Sequence, residues 1–307
     1  MGKRVLITGI SGFTGYYVAA EFNNLGWEVW GLGQHKSTRA SSTNYICADL
    51  ADSHLLTKVI ANAKPDVIIH LAAVAFVEHS DSRAFYEVNL LGTRNLLTAI
   101  DSSGHLPASV IIASSANVYG NTTGGSLSET TPMNPANDYA VSKCASEYVA
   151  ALWRDRLPIT ITRPFNYTGV GQSQNFLVPK IVQHFRAGAK VIELGNLDVE
   201  RDFSDVRDVA TMYRCLAEEN PVGITVNLCS GRTQSLRNIL ITAGNIMGRE
   251  LEVKVNQRLV RLNEVETLSG DPTRLNNLIG NINLRTFETT LRWMLKSCSQ
   301  SGTGPEP

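Results

Sequence analysis

The 307 residues carry 28 basic and 28 acidic side chains, so the net charge is zero, and 43% of the chain is hydrophobic against 18% charged. Such a composition supplies a large core and excludes bulk disorder. The missing basic excess argues against nucleic acid or an anionic membrane surface as a partner, and the length predicts two domains or one large domain with an appendage.

The chain begins with an apolar run, Val5-Leu6-Ile7, too short for a signal-peptide core. No stretch approaches the roughly 18 apolar residues of a membrane helix. Five scattered cysteines (Cys47, Cys144, Cys215, Cys229 and Cys298) form no CxxC pair. Their spacing fits neither a disulfide framework nor a zinc site, so no metal is expected and a reducing, cytoplasmic setting is.

Strands are predicted at Arg4 to Thr8, Glu28 to Leu32, Tyr45 to Ala48, Val67 to Leu71, Val110 to Ser114 and Ile159 to Arg163. Helical patterns lie between them at Thr14 to Leu25, Leu55 to Ala61, Ala84 to Ser102 and Tyr139 to Arg154. This alternation predicts an α/β fold: a Rossmann-type doubly wound parallel sheet whose apolar strands are covered on both faces. After Arg163-Pro164 the rhythm changes. A loop over Asn166 to Asn175 is followed by a helix (Phe176 to Arg186), a short strand (Val191 to Leu194), a second loop, a helix (Val206 to Ala217) and a strand (Thr225 to Cys229). Helices and irregular segments are expected from Ser235 onward. The predicted organisation is therefore a dinucleotide-binding domain, 1–164 and 205–229, and a smaller, discontinuous C-terminal substrate lobe, 165–204 and 230–296. The small, polar residues 297–307 are expected to be a flexible tail.

Strand and helix meet first at Gly9-Ile10-Ser11-Gly12-Phe13-Thr14-Gly15. Glycines three apart allow a tight turn, a close backbone approach to a pyrophosphate and hard packing of helix on strand. The helix N-terminus offers N–H groups and a positive dipole end to phosphate. The second strand ends without the acid that would accept an NAD ribose. It runs instead through Gly33-Gln34-His35-Lys36, with Arg39 beyond. Lys36 or Arg39 could pair with a 2′-phosphate, which predicts NADP(H) in preference to NAD(H), with NAD(H) still possible.

Tyr139 and Lys143 are four residues apart and share a helix face. An ammonium beside a phenol favours the phenolate, and a pKa lowered from about 10 toward neutrality is expected. Ser114-Ser115-Ala116-Asn117-Val118-Tyr119-Gly120 closes the fifth strand at the carboxyl edge, where open α/β sheets bind ligands. Ser114 is expected to point away from the site. No Gly-x-Ser-x-Gly elbow surrounds either serine, which argues against a serine hydrolase. The intact Ser115, Tyr139 and Lys143 set argues against a module that only binds.

The Gly-x-x-Gly-x-x-Gly spacing, the Ser-Ala-x-Val-Tyr-Gly run and the Tyr-x-x-x-Lys pair resemble the extended short-chain dehydrogenases/reductases over nearly the full length. That resemblance implies Ser115, Tyr139 and Lys143 as the catalytic set, with Tyr139 and Lys143 also against the coenzyme. It implies coenzyme contacts from Gly9, Gly12, Phe13, Thr14, Gly15, Asp49, Leu50, Leu71, Ala72, Ala73 and Asn89. His70, beside this run, reads as a satisfied core histidine.

The dehydratases of the family carry acids where Ala116 and Asn117 stand here, so elimination of water is not expected. Arg163-Pro164-Phe165-Asn166, Arg201-Asp202-Phe203 and Arg261-Leu262-Asn263 resemble the GDP-mannose dehydratase and GDP-6-deoxy-mannose reductase branch. Gly280-Asn281-Ile282 departs from its pattern. The branch implies Arg201 and Arg261 on a diphosphate, where a planar guanidinium makes paired bonds, and Ser115, Asn117, Asn166 and Lys180 on the nucleotide sugar. The expected activity is NADPH-dependent reduction of a nucleotide-linked 4-keto-6-deoxyhexose, foremost GDP-4-keto-6-deoxy-D-mannose to GDP-D-rhamnose. A GDP- or dTDP-linked 6-deoxytalose product and a nucleotide-sugar epimerase stand as alternatives. A homodimer through the helices at Ala84 to Ser102 and Tyr139 to Arg154 is expected from the family.

Overall fold

The computed structural model describes residues 2–35, 44–75, 81–121, 124–257 and 265–297. Strand β1 (Arg4–Thr8) feeds helix α1 (Phe13–Asn24), followed by β2 (Glu28–Gly33), β3 (Asn44–Cys47), α2 (Ser53–Ala63) and β4 (Val67–His70). Next come α3 (Thr93–Ser102), β5 (Ser109–Ala113), β6 (Gly125–Leu127), α4 (Asp138–Ala151), β7 (Ile159–Pro164) and β8 (Asn166–Thr168). The chain continues through α5 (Leu177–Arg186), β9 (Val191–Leu194), β10 (Glu200–Asp205), α6 (Val206–Glu219) and β11 (Thr225–Leu228). It ends in β12 (Thr233–Ser235), α7 (Leu236–Met247), β13 (Glu252–Val255), β14 (Thr267–Gly270), α8 (Thr273–Ile279) and α9 (Phe287–Lys296).

Seven strands form one parallel sheet in the order β11-β7-β5-β4-β1-β2-β3. Alternation along β1 explains why both faces are apolar. Val5 and Ile7 join the core under α1 and α6, while Leu6 joins the core under α2, α3 and α4. The chain leaves β1 toward β2 on one side and pairs β4 on the other. That reversal opens a crevice at the carboxyl ends of β1 and β4, the usual ligand position in such sheets.

A separate apolar cluster joins α5, β9, α7 and α9. On α5, Val178, Ile181, Val182 and Phe185 make the buried stripe, spaced as one helix face requires. Short strands complete this part: β12-β10-β14-β6 with β8 on β10, and β13 beside β9.

Several expectations are corrected here. The loop predicted over Asn166 to Asn175 opens with β8. The stretch predicted as a loop before residue 206 contains β10, and the region after Ser235 contains β13 and β14. β10 reads Glu-Arg-Asp-Phe-Ser-Asp, too charged to signal a strand by apolar alternation. Its polar groups are satisfied by distant chain: Asp202, fully buried, accepts from the backbone of Ser230, Gly231 and Gly270 and from the Ser230 hydroxyl. The helix predicted over Ala84 to Ser102 is π-helical from Phe85 to Gly92 before becoming α3. Near the Gly280 departure, α8 stops, and Arg285 re-docks the chain on Asp208 ahead of α9.

Among the described residues no helix is long and apolar enough to cross a membrane, and no cluster of three His, Cys, Asp or Glu could hold a metal.

Candidate active site

At the crevice the glycine turn is as tight as its spacing requires. Gly9 has φ +69, and a Cβ there would lie 2.8 Å from the Ala72 backbone. A Cβ on Gly15 would strike the Gly9–Ile10 backbone at the foot of α1. Gly12 caps α1 without a side-chain hydrogen bond, and the first turn holds no acid. Uncapped N–H groups of Phe13, Thr14 and Gly15, set where only glycine admits close approach, fit the diphosphate of a dinucleotide.

The remaining expected coenzyme residues border this turn. Leu71, Ala72 and Ala73 continue from β4 with half-buried side chains. Asp49 is exposed after β3; its carboxylate accepts from the Ala51 backbone and from Gln34 Nε2 at 3.0 Å. Leu50 lies so near Gly92 that a Cβ there would come within 2.9 Å of it. Lys36, Arg39 and, on the substrate side, Arg261 lie outside the described residues. Asn89 is fully buried. Its carboxamide is spent on both backbone groups of Val74 and on Ser142 Oγ, so it acts on its neighbours rather than on a ligand.

Beyond β5, Ser115 Oγ accepts from the Asn117 N–H at 3.1 Å and stands by the Tyr139 phenol, whose pKa it pulls down. Asn117 is exposed, and Ser115, Tyr139 and Lys143 are buried. Asn137 caps α4 through Ala140 N–H, which sets the first turn on which Tyr139 stands. Lys143, one turn later, donates from Nζ to the Ala113 carbonyl at 2.8 Å, two residues before Ser115. The three groups thus converge at one sheet edge, with the Phe85 ring edge-on to Tyr139 at 5.9 Å.

The expected lowering of the phenol pKa is corrected. Burial pushes Tyr139 up to about 12, against the pull of its Ser115 hydrogen bond. Burial also pushes Lys143 down to about 8, against the field of Glu147. In this buried pocket desolvation of the phenolate outweighs what Ser115 gives back, and the Lys143 ammonium is aimed at the Ala113 carbonyl. The phenol therefore keeps its proton at neutral pH.

Ser114 points away as expected and donates to Glu147. Glu147 takes a bidentate grip from Arg163 at 2.9 and 2.7 Å, and both are buried. Arg163 also reaches the Tyr119 hydroxyl at 3.0 Å, which donates to Asn227. Sequence reasoning missed this network. One signal was present: Glu147 follows Tyr139 and Lys143 at four-residue steps on the same helix.

The other expected substrate residues serve the second lobe. Lys180 Nζ donates to the Glu193 carbonyl at 3.0 Å, tying α5 to β9. Arg201 donates from Nη1 to the carbonyls of Glu200 and Val265 at 2.8 and 2.9 Å. Asn166 is exposed on β8, paired in register with Phe203.

Sheet, glycine cradle and buried Ser/Tyr/Lys group together define a short-chain-type NAD(P)-dependent oxidoreductase. Comparison with known proteins refines the class. Residues 6–294 match the family model described as GDP-mannose 4,6 dehydratase. The GDP-6-deoxy-D-talose 4-dehydrogenase of Aggregatibacter actinomycetemcomitans is 36% identical across 91% of this chain and 92% of its own. The GDP-6-deoxy-D-mannose reductase of Pseudomonas aeruginosa is 31% identical across 96% and 97%. A crystal structure from Burkholderia cenocepacia J2315, provisionally named an epimerase, has a TM-score of 0.90 and 46% identity across 95% of this chain and 97% of that one. RMD from Pseudomonas aeruginosa, complexed with NADPH, has a TM-score of 0.82 and 29% identity across 95% and 98%. The chain belongs to the GDP-mannose 4,6 dehydratase family of extended short-chain dehydrogenases/reductases, among its GDP-6-deoxyhexose reductases and dehydrogenases.

Proposed function

We propose that this protein reduces the 4-keto group of a GDP-linked 4-keto-6-deoxyhexose with NADPH, foremost GDP-4-keto-6-deoxy-D-mannose to GDP-D-rhamnose. The observation that carries this reading is the convergence of buried Ser115, Tyr139 and Lys143 at the carboxyl edge of the sheet, with Ala116 and Asn117 where elimination would need acids. NADPH is assigned to Gly9, Gly12, Phe13, Thr14 and Gly15 for its diphosphate, and to Lys36 and Arg39 for its 2′-phosphate. Asp49, Leu50 and the Leu71-Ala72-Ala73 edge are assigned to its adenosine side, and Tyr139 and Lys143 to its nicotinamide ribose. The chemistry the bound coenzyme supplies is a hydride for the C4 carbonyl carbon.

Ser115 holds the ketone oxygen in a hydrogen bond. Tyr139 gives that oxygen its proton as charge develops there, and the product is the secondary alcohol. Lys143, charged below about pH 8, adds a positive field behind the phenol. Residues 165–204 and 230–296 are assigned to the nucleotide sugar. Arg201 and Arg261 face its diphosphate, and Asn117, Asn166 and Lys180 hold the remainder.

A GDP-6-deoxy-D-talose product is the second reading, favoured by the 36% identity to the Aggregatibacter protein. A homodimer is also proposed. Val141, Tyr148 and Leu152 follow one side of α4 and its C-terminal turn and are exposed, as is Leu91 of the π-helix. Such a stripe fits a self-complementary face, and light scattering at the dimer mass is the expected result.

The decisive experiment incubates the enzyme and NADPH with GDP- and dTDP-linked 4-keto-6-deoxy sugars, following nicotinamide absorbance and then the product by NMR. Stoichiometric NADPH oxidation with the GDP sugar is expected, and the C4 coupling constants separate rhamnose from talose. Interconversion of intact hexoses without net coenzyme turnover would instead establish an epimerase.

A further inference from the structure

His70 is the last residue of β4 and is 2% exposed, paired in register with Thr8 of β1. Its Nδ1 lies 2.7 Å from Thr8 Oγ1 and its Nε2 lies 2.9 Å from Thr93 Oγ1. Both hydroxyls have a second partner, and these partners set the direction of the chain. Thr93 Oγ1 donates its single proton to the Asn89 carbonyl at 2.6 Å, so it must accept from His70 Nε2–H. His70 Nδ1 is then an acceptor and takes the proton of Thr8, whose oxygen in turn accepts Ala72 N–H at 3.2 Å. Every donor points the same way, from Ala72 through Thr8, His70 and Thr93 to Asn89, an order in which each bond polarises the next.

The two ends of this chain touch the two halves of the site. Ala72 is the backbone against which Gly9 packs at the floor of the crevice. Asn89 is bonded to the helix bearing Tyr139 twice, and one of those bonds is passed on to the Tyr139 carbonyl. Its Nδ2 donates to Ser142 Oγ at 3.0 Å, Ser142 Oγ donates to the Tyr139 carbonyl at 2.7 Å, and Ser146 Oγ reaches the Asn89 carbonyl at 2.7 Å.

We propose that His70, as a neutral imidazole with its proton on Nε2, is a positioning residue that fixes the crevice floor at Ala72 relative to the helix bearing Tyr139 and Lys143. Its role in catalysis rests on the reductase reading above, whereas its tautomer does not. Burial pushes the imidazole down to about 3, and the Lys143 charge on α4 acts in the same direction, so it stays neutral. A protonated ring would have two donors and would reverse the Thr8 bond, breaking the chain at its start.

Nitrogen-15 histidine spectra, with His70 assigned by its loss in His70→Gln, test the tautomer. Nε2–H is expected, unchanged from about pH 6 to about pH 9; an Nδ1–H ring or a titration in that range overturns the proposal. Single-turnover hydride transfer at saturating NADPH and sugar tests the role. His70→Leu and the near-isosteric Thr93→Val should each slow it about tenfold, His70→Gln should recover most of the rate, and the double variant should be no slower than the slower single one. A lowered melting temperature with unchanged hydride transfer, or strictly additive losses, would mean that His70 only packs. If the wild type turns over none of the sugars, the reductase reading fails on its own. The tautomer and a weaker NADPH affinity of Thr93→Val, read by fluorescence, then still decide for or against His70.

Discussion

The two halves of the molecule meet the chain's polar groups in opposite ways. In the parallel sheet, strands such as β4 are buried along their whole length, and several of their polar side chains stand at the strand ends that face the crevice. Thr8, His70 and Ser115 stand there, and each is satisfied by a neighbouring strand or helix. In the C-terminal lobe the strands are three to six residues long and rich in polar side chains, charged in β10 and β13. β10 holds its place because Asp202 collects donors from Ser230, Gly231 and Gly270, and Arg201 collects carbonyls from β10 itself and from Val265. The first half owes its shape to local apolar pattern, and its polar groups at the crevice are held by partners beside the site. The second owes its shape to polar contacts across long sequence separations, so the residues that would bind substrate also hold the fold.

The largest effect should come from the chemical end of the first half. Tyr139→Phe removes the proposed proton donor, and kcat should fall about 100- to 10,000-fold, far more than NADPH binding weakens through loss of the proposed ribose contact; a loss under tenfold would place the proton elsewhere. Next is the buried pair beneath it. Glu147→Gln leaves the Arg163 guanidinium without its bidentate partner in a dry site. Urea denaturation should show a loss of about 3–5 kcal/mol, the range for breaking one half of a buried ion pair. An equal loss from disrupting the exposed pair Arg237–Asp198 of the second lobe would erase the contrast, because such surface pairs contribute at most about 1 kcal/mol.

The same division governs what could be read in advance. The seven sheet strands were legible because each is a short, β-rich stretch between turn signals; the Tyr139 and Lys143 pairing followed from helix spacing, and Ser115 from the resemblance of the Ser-Ala-x-Val-Tyr-Gly run. The sign of the Tyr139 shift was not legible. It depends on how thoroughly α4, the π-helix and β5 exclude water, which spacing does not encode. The Thr8–His70–Thr93 chain needed the β1–β4 register, and β10 needed partners roughly 30 and 65 residues away in sequence.

A third prediction uses Lys143 to probe the dryness of the first half. Its folded-state pKa, about 8, lies below its ordinary value. Between the two the unfolded chain holds the extra proton, so this group's cost to stability is fully present below about pH 8 and is relieved as pH rises. The stability of the wild type relative to Lys143→Met should therefore improve above pH 8, by at most about 1.4 kcal/mol per pH unit. The reduction rate should decline over the same range as the ammonium is lost. A flat stability difference would mean that Lys143 is hydrated and that the pocket is not dry.

The smallest expected effect belongs to the second half. Arg201→Ala removes a guanidinium proposed to face the diphosphate, remote from the reacting carbon, so KM should rise several-fold while kcat changes little. The structure adds a second consequence, because the same group bonds the Glu200 and Val265 carbonyls. Arg201→Lys separates the two roles. A lysine keeps a positive charge for the diphosphate but lacks the fork that reaches two carbonyls at once. If recognition dominates, Lys recovers most of the KM. If anchoring dominates, Lys and Ala behave alike and both lower the melting temperature. On the proposed assignment, binding and folding in this lobe would rest on one side chain, whereas in the sheet they would be divided between Tyr139 and the Glu147–Arg163 pair beneath it.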